Sequence, residues 1–212
     1  MLVQSVARNL ILCDLLVVCV LLRRGGGTRA TAIRALSALL LTSSMLLVFS
    51  LTGVSPLSGF HTDLRLSSVN LIPFKGMRQI LHSRDFSYVF SNLSGNVLMF
   101  VPMGLFPPLL CPKLGKGLRT VLLSAAVSLL IECTQLFLAR GTDVDDLLLN
   151  AFGGLLGLLA YRLARRLCPG LCGRAGPAPG SEGSALLCCC ILVPYLATVL
   201  LGFYDRWIYF KL

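Results

Sequence analysis

The chain has 212 residues, 56% of them hydrophobic and only 13% charged, and its mean hydropathy is +0.82. Soluble domains carry about a quarter charged residues, so this composition excludes one and indicates a membrane protein. The formal net charge of +10 would suggest nucleic acid in a soluble protein, but the basic residues are scattered through short stretches between apolar runs, where they set topology and imply no nucleic-acid partner.

The expected fold class is all-α, a polytopic transmembrane helix bundle of five to six spans. Its expected organisation is two N-terminal membrane helices (1–53), an extracytoplasmic loop (54–87), a three-helix core (88–166), a flexible cytoplasmic linker (167–184) and a C-terminal membrane helix (185–212). The first apolar run, 2–22, is interrupted by Gln4, Arg8, Asn9 and Asp14. Arg23 and Arg24 follow it, which reads as an uncleaved signal anchor with its N-terminus outside. Asp14 reads either as part of a polar core or as a marginal residue in a weak span. The polar stretch from Val54 to Ser87 contains the apolar hexad Val69-Asn70-Leu71-Ile72-Pro73-Phe74, an expected interfacial anchor.

The third span places Asn92, Asn96 and Met103 on one face and is stopped by Pro107, Pro108 and Pro112. In the next, about 116–138, Ser124, Ser128, Glu132 and Gln135 share one helical face. A further run, about 144–166, aligns Asp143, Asp146, Asn150, Gly153, Gly157 and Tyr161. Only Ala139 to Asp143 join these two runs, so the helices should be antiparallel neighbours with both polar stripes starting near the turn. Glu132 is then expected about 9 Å from the end of its helix. Residues 169–184 are rich in Gly, Pro, Ser and Ala, and Trp207 and Tyr209 suit a membrane interface.

Of the 19 Lys and Arg, eleven fall in the loops at 22–34, 111–119 and 162–174 and eight on the other side. The positive-inside rule makes the first side cytoplasmic. The loop at 54–87, Asn92, Glu132 and Asp143 are then expected together at the outer face.

An ionisable residue within a span costs about 2.5 to 3.5 kcal/mol on insertion scales, so Glu132 should face the bundle and find a partner such as Arg140. It and Gln135 serve either as helix glue or as a site. The acids Asp143, Asp145 and Asp146 open a helix, where capping accounts for one or two; three invite cation or proton handling as the alternative. Gly153 and Gly157 form a small-xxx-small packing face, and Asn92 and Asn96 either bond between helices or line the site. The nine cysteines suggest no disulfide framework, and Cys168 and Cys172 read as unpaired thiols before a disulfide, metal or lipidation site. No metal or cofactor is expected, since only His61 and His82 are present.

The run Glu132-x-x-Gln135, then Arg140-Gly141-Thr142-Asp143-Val144-Asp145-Asp146-Leu147-Leu148-Leu149-Asn150, then Gly153-Gly154 and Gly157, resembles the signature of VanZ-like membrane proteins. Asn70-Leu71-Ile72-Pro73-Phe74 and Asn92-Leu93-x-Gly95-Asn96 with Phe100-x-Pro102-x-Gly104 are similar to that family's other two blocks. The resemblance covers about 69–160. It implies a bacterial envelope membrane protein of a family whose named member is associated with low-level resistance to the glycopeptide teicoplanin. It supplies no reaction. The leading expectation is a non-enzymatic protein that uses Glu132, Gln135, Arg140, Asp143, Asp146, Asn150, Asn92 and Asn96 to engage a lipid-linked cell-wall component at the outer leaflet. The alternatives are a membrane-embedded enzyme acting on such a lipid through a carboxylate base or divalent cation, and a proton-coupled transporter using Glu132.

Overall fold

A computed structural model describes residues 2–23, 29–56, 59, 69–82, 85–138, 141–169 and 182–211. Its helices are α1 (Leu2–Arg23), α2 (Arg29–Leu51), α3 (Lys75–Leu81), α4 (Phe86–Leu105), α5 (Pro107–Leu110), α6 (Arg119–Gln135), α7 (Val144–Leu167) and α8 (Glu182–Lys211). Two short strands, β1 (Val69–Asn70) and β2 (Thr142–Asp143), pair in parallel, with Val69 opposite Thr142 and Asn70 opposite Asp143.

Among the described residues five segments are long and apolar enough to cross a membrane: Gln4–Leu21, Ala32–Leu51, Phe86–Leu110, Val144–Leu167 and Gly183–Ile208. The polar residues of the first run therefore do not break its helix. At 17 residues α6 is shorter than these and reaches about 26 Å. The chain is thus an all-α, multi-pass membrane bundle.

The helices form two packed groups. In one, α4 lies along α7 and α6 packs against them; in the other, α1, α2 and α8 pack together, and α2 and α5 link the two groups. One apolar core runs through both: Leu41, Met45 and Phe49 of α2, Phe100 and Met103 of α4, Ile131 of α6, and Cys190 and Ile191 of α8. Leucines such as Leu122, Leu163 and Leu200 face outward, as a lipid-facing surface requires.

Lipid offers no hydrophobic drive for helix association, so close packing and small residues must supply it. The α4–α7 contact meets that demand backbone to backbone. A Cβ built on Gly153 would strike the carbonyl oxygen of Val97, one on Gly157 that of Val101, and one on Gly104 that of Gly154. Gly154 faces α6 instead, where a Cβ would meet the side chain of Ser124.

The second group is held by polar pairs. The Arg8 guanidinium donates through both terminal nitrogens to the Asp205 carboxylate at 2.9 Å, and Ser5 Oγ donates to the same carboxylate at 2.7 Å. Asp14 accepts from Ser43 Oγ of α2 at 3.0 Å, so it ties α1 to α2. Thr134 of α6 and Tyr195 of α8 have their hydroxyls 2.9 Å apart. Because the Thr134 hydroxyl already donates to the Leu130 carbonyl, Tyr195 is the donor between them, and its ring stands edge-on to Phe49 at 5.4 Å. Tyr195→Phe is expected to cost about 1 kcal/mol. Detergent melting curves of Tyr195→Phe, Thr134→Val and the double variant check this, and the two losses should not add.

Two expectations change at the polar end. The helix carrying Glu132 ends at Gln135, because the chain tightens there into three-residue hydrogen bonds from Phe137 N to Thr134 O (3.1 Å) and Leu138 N to Gln135 O (3.0 Å). Glu132 therefore sits about one turn from the helix end, roughly 4.5 Å, and not 9 Å. The polar stretch after α2 is also more than a loop, since it contains β1 and α3. The expected linker falls mostly at 170–181, outside the described residues.

Candidate functional site

Five chain segments converge where α2 and α6 end, α4 and α7 begin and α3 lies alongside. They enclose a cavity of about 400 Å³ lined by Thr52, Ile80, Asn92, Gly95, Asn96, Met99, Ile131, Glu132, Gln135, Asp143, Asp146 and Asn150, among others. Seven of the eight residues expected to form the site thus border one space. The eighth, Arg140, lies outside the described residues.

Each side chain reaches the cavity for a local reason. The three- and four-residue spacing on α6 puts Ser128, Glu132 and Gln135 on the face turned to α7 and α2, and all three are buried. Gln135 donates from Nε2 to the Thr52 carbonyl at 2.8 Å. That carbonyl belongs to the end of α2, where it lacks a helical partner. Asn150 of α7, 2% exposed, donates from Nδ2 to Ser128 Oγ at 2.8 Å. From α4, Asn96 Nδ2 donates to Asp146 Oδ1 at 2.6 Å, and Asn92 Nδ2 donates back to the Tyr88 carbonyl at 2.8 Å. Gly95 lies between these asparagines with open space where a side chain would be.

The acids divide into two sorts. Asp143 is the N-cap of α7, accepting from Asp145 N at 2.9 Å. Its Oδ1 also accepts from Asn70 Nδ2 at 2.9 Å, and its own backbone N–H donates to Glu132 Oε2 at 3.0 Å. Asp145 is 3% exposed and turned away from the cavity stripe. Its carboxylate accepts the backbone N–H groups of Phe74 and, at 2.9 Å, Met77. It thereby caps α3, whose preceding residue Phe74 is in the left-handed region at φ 64°. Glu132 and Asp146 are the carboxyl groups that border the cavity without capping a helix.

Asp145 and Asn70 are the residues that the helical-face reasoning left out of the site. Asp145 falls off the α7 stripe, and its partners lie 68 and 71 positions earlier. The signal was the pairing of an unusual hexad at 69–74 with a third acid beyond what a cap needs. Gly153 and Gly157 sit one and two turns below Asn150, in the α4 contact. Among the described residues no three His, Cys, Asp or Glu side chains converge as metal ligands.

The fold and this site define a multi-pass membrane protein with a polar cavity sunk into one end of its helix bundle. The VanZ/LLP1 family matches over residues 35–165, which takes in the whole cavity and, beyond the sequence motifs, α2 as well. The chain is 31% identical over 134 residues to Protein VanZ of Enterococcus faecium, an alignment covering 63% of this chain and 75% of that protein. The chain belongs to the VanZ/LLP1 family. No solved structure matches it.

Proposed function

We propose that this protein works in a bacterial cell envelope, with its cavity at the outer leaflet, and that it lowers susceptibility to glycopeptide antibiotics, teicoplanin among them, by engaging the head group of a lipid-linked cell-wall component. The observation that carries the reading is the cavity itself: buried and partly buried polar side chains from α4, α6, α7 and the end of α2 border a space of about 400 Å³ at the bundle end, large enough for a head group. Family membership supplies the link to antibiotic tolerance, and the bias of Lys and Arg toward the opposite loops supports the outward orientation.

The neighbouring surface suits a lipid ligand. Leu71, Ile72 and Phe74 are 61% to 74% exposed, and Lys75, Arg78 and His82 lie beside them around a shallow surface hollow. A short amphipathic element of this kind rests in the headgroup layer, next to the cavity that Ile80 of α3 helps to line.

The carboxylates favour binding over chemistry. Asp143 and Asp145 hold backbone in place, and Glu132 accepts the Asp143 backbone N–H through Oε2, so each of the three has a structural task at the turn. An enzyme would have to work with Glu132 or Asp146 as its acid or base. Transport finds less support, because the α4–α7 contact below the cavity is glycine against backbone.

The test is expression in a susceptible Gram-positive host. The expected results are a rise in the minimum inhibitory concentration of teicoplanin and labelling of Ser91→Cys, in a cysteine-free background, by a membrane-impermeant thiol reagent applied outside. Unchanged susceptibility, or labelling only from the cytoplasmic side, would contradict the reading.

A further inference from the structure

The side of α4 that borders the cavity consists of Ser91, Asn92, Gly95, Asn96 and Met99. Their spacing puts them on one side of the helix, with Gly95 between the asparagines and with Ser91 and Met99 one turn to either side. Glycine weakens a helix relative to alanine, because it gives up more backbone freedom on folding. The other glycine of α4 has a packing reason to be there: a Cβ on Gly104 would strike the Gly154 carbonyl oxygen. Gly95 has no such reason. It lies inside the helix, its φ is outside the left-handed region, and a Cβ built on it would meet nothing within 4 Å.

The asparagines beside it do not use that space. Asn92 donates back to the Tyr88 carbonyl, and Asn96 donates across to Asp146. Side chains on a helix lean toward its N-terminus, and the N-terminal end of α4 is the end that borders the cavity. A side chain at position 95 would therefore extend within the cavity toward Asn92 and the exposed Ser91.

We propose that Gly95 sets the size of head group the cavity admits, and that the space in front of its backbone is filled by the ligand. This rests on the head-group reading above and adds a specificity-determining residue and a size class of ligand to it. With position 95 bare the cavity keeps its volume of about 400 Å³, within the roughly 300 to 1,000 Å³ of pockets that hold a whole small molecule. The class that needs this room is a bulky polar head group of sugar size. A group as small as ethanolamine or glycerol would leave room beside it for a leucine.

The experiment expresses the full-length wild type, Gly95→Ala, Gly95→Leu, Gly95→Gln and Ser94→Leu in the same susceptible Gram-positive host. The minimum inhibitory concentration of teicoplanin, the membrane abundance and the melting temperature in detergent are measured for each. Gly95→Leu and Gly95→Gln should fall to the inhibitory concentration of the host without the protein, at an abundance and melting temperature equal to the wild type or higher. Gly95→Ala should be intermediate. Equal loss from an apolar and a polar side chain marks bulk as the cause. Ser94 is on α4 but does not border the cavity, so Ser94→Leu should keep the wild-type value.

Wild-type tolerance in Gly95→Leu overturns the proposal and leaves the head-group reading standing, as does an equal loss in Ser94→Leu. A fall in abundance and melting temperature in both Gly95→Leu and Gly95→Gln also overturns it, by making Gly95 a packing residue. A wild type that confers no tolerance overturns the head-group reading and this proposal with it.

Discussion

Asp145→Ala is expected to lower stability by about 3 kcal/mol and to release the 69–82 segment from the bundle end. The carboxylate is 3% exposed and accepts the backbone N–H groups of Phe74 and Met77. Hydrogen bonds to a charged group are worth about 1.5 to 3 kcal/mol each, and their loss leaves two backbone donors without a partner. Asp145→Asn keeps one acceptor oxygen and should lose roughly half as much. Denaturant unfolding in detergent gives the energies. Limited proteolysis within 69–82 should accelerate in the Ala variant well before the bundle unfolds. Gly76→Ala should reproduce the release, since a Cβ there would meet the Asp143 carboxylate and stand 3.1 Å from Asp145 Oδ2.

Gly157→Leu is expected to be at least as damaging, with a loss of about 3 kcal/mol or more and little assembled protein in the membrane. The Cβ alone would occupy the position of the Val101 carbonyl oxygen and come within 2.7 Å of Gly104 Cα, so α4 and α7 must separate along their whole contact. Overpacking a relaxed core costs about 1 to 3 kcal/mol. Here the obstacle is backbone, which cannot rotate away, and the separated helices regain nothing from lipid. Gly95→Ala is the control. It lies on α4 with nothing near its missing Cβ and should be neutral or slightly stabilising, since Ala favours a helix by up to about 1 kcal/mol over Gly. Membrane abundance and melting temperature of the two variants, measured together, check the contrast.

How much of this was legible in the sequence follows from the range of each interaction. Ser128, Glu132 and Gln135, and Asp146, Asn150 and Gly153, repeat at three and four residues, and a helix converts that spacing directly into a shared face. The convergence of Glu132, Gln135, Asp146 and Asn150 on one cavity needed only a short turn between two helices, which the sequence also displays. Asp145 was not readable as a cap for α3. Its partners come from a segment 68 to 71 residues away, and helical period, which places it off the cavity stripe, says nothing of what it meets on the other side. The parallel pairing of Asn70 with Asp143 is hidden for the same reason.

The Arg8–Asp205 pair, 197 residues apart, could not be inferred from either helix, though Arg8 stood out as a charge within an apolar run. The early end of α6 was missed because Leu136 to Leu138 continue the apolar pattern while their backbone has already tightened into a turn. Hydropathy records composition and is blind to that change of hydrogen bonding.

The central claim is that the polar cavity engages something whose binding raises glycopeptide tolerance. The most direct measurement compares teicoplanin tolerance and membrane abundance for Asp146→Asn and Glu132→Gln, each expressed in the same susceptible host. Tolerance lost at normal abundance is the predicted result, because both side chains border the cavity and neither substitution changes its size appreciably. Tolerance retained in both variants, or lost only in proportion to abundance, would contradict the account and reduce the cluster to a device for holding helices together.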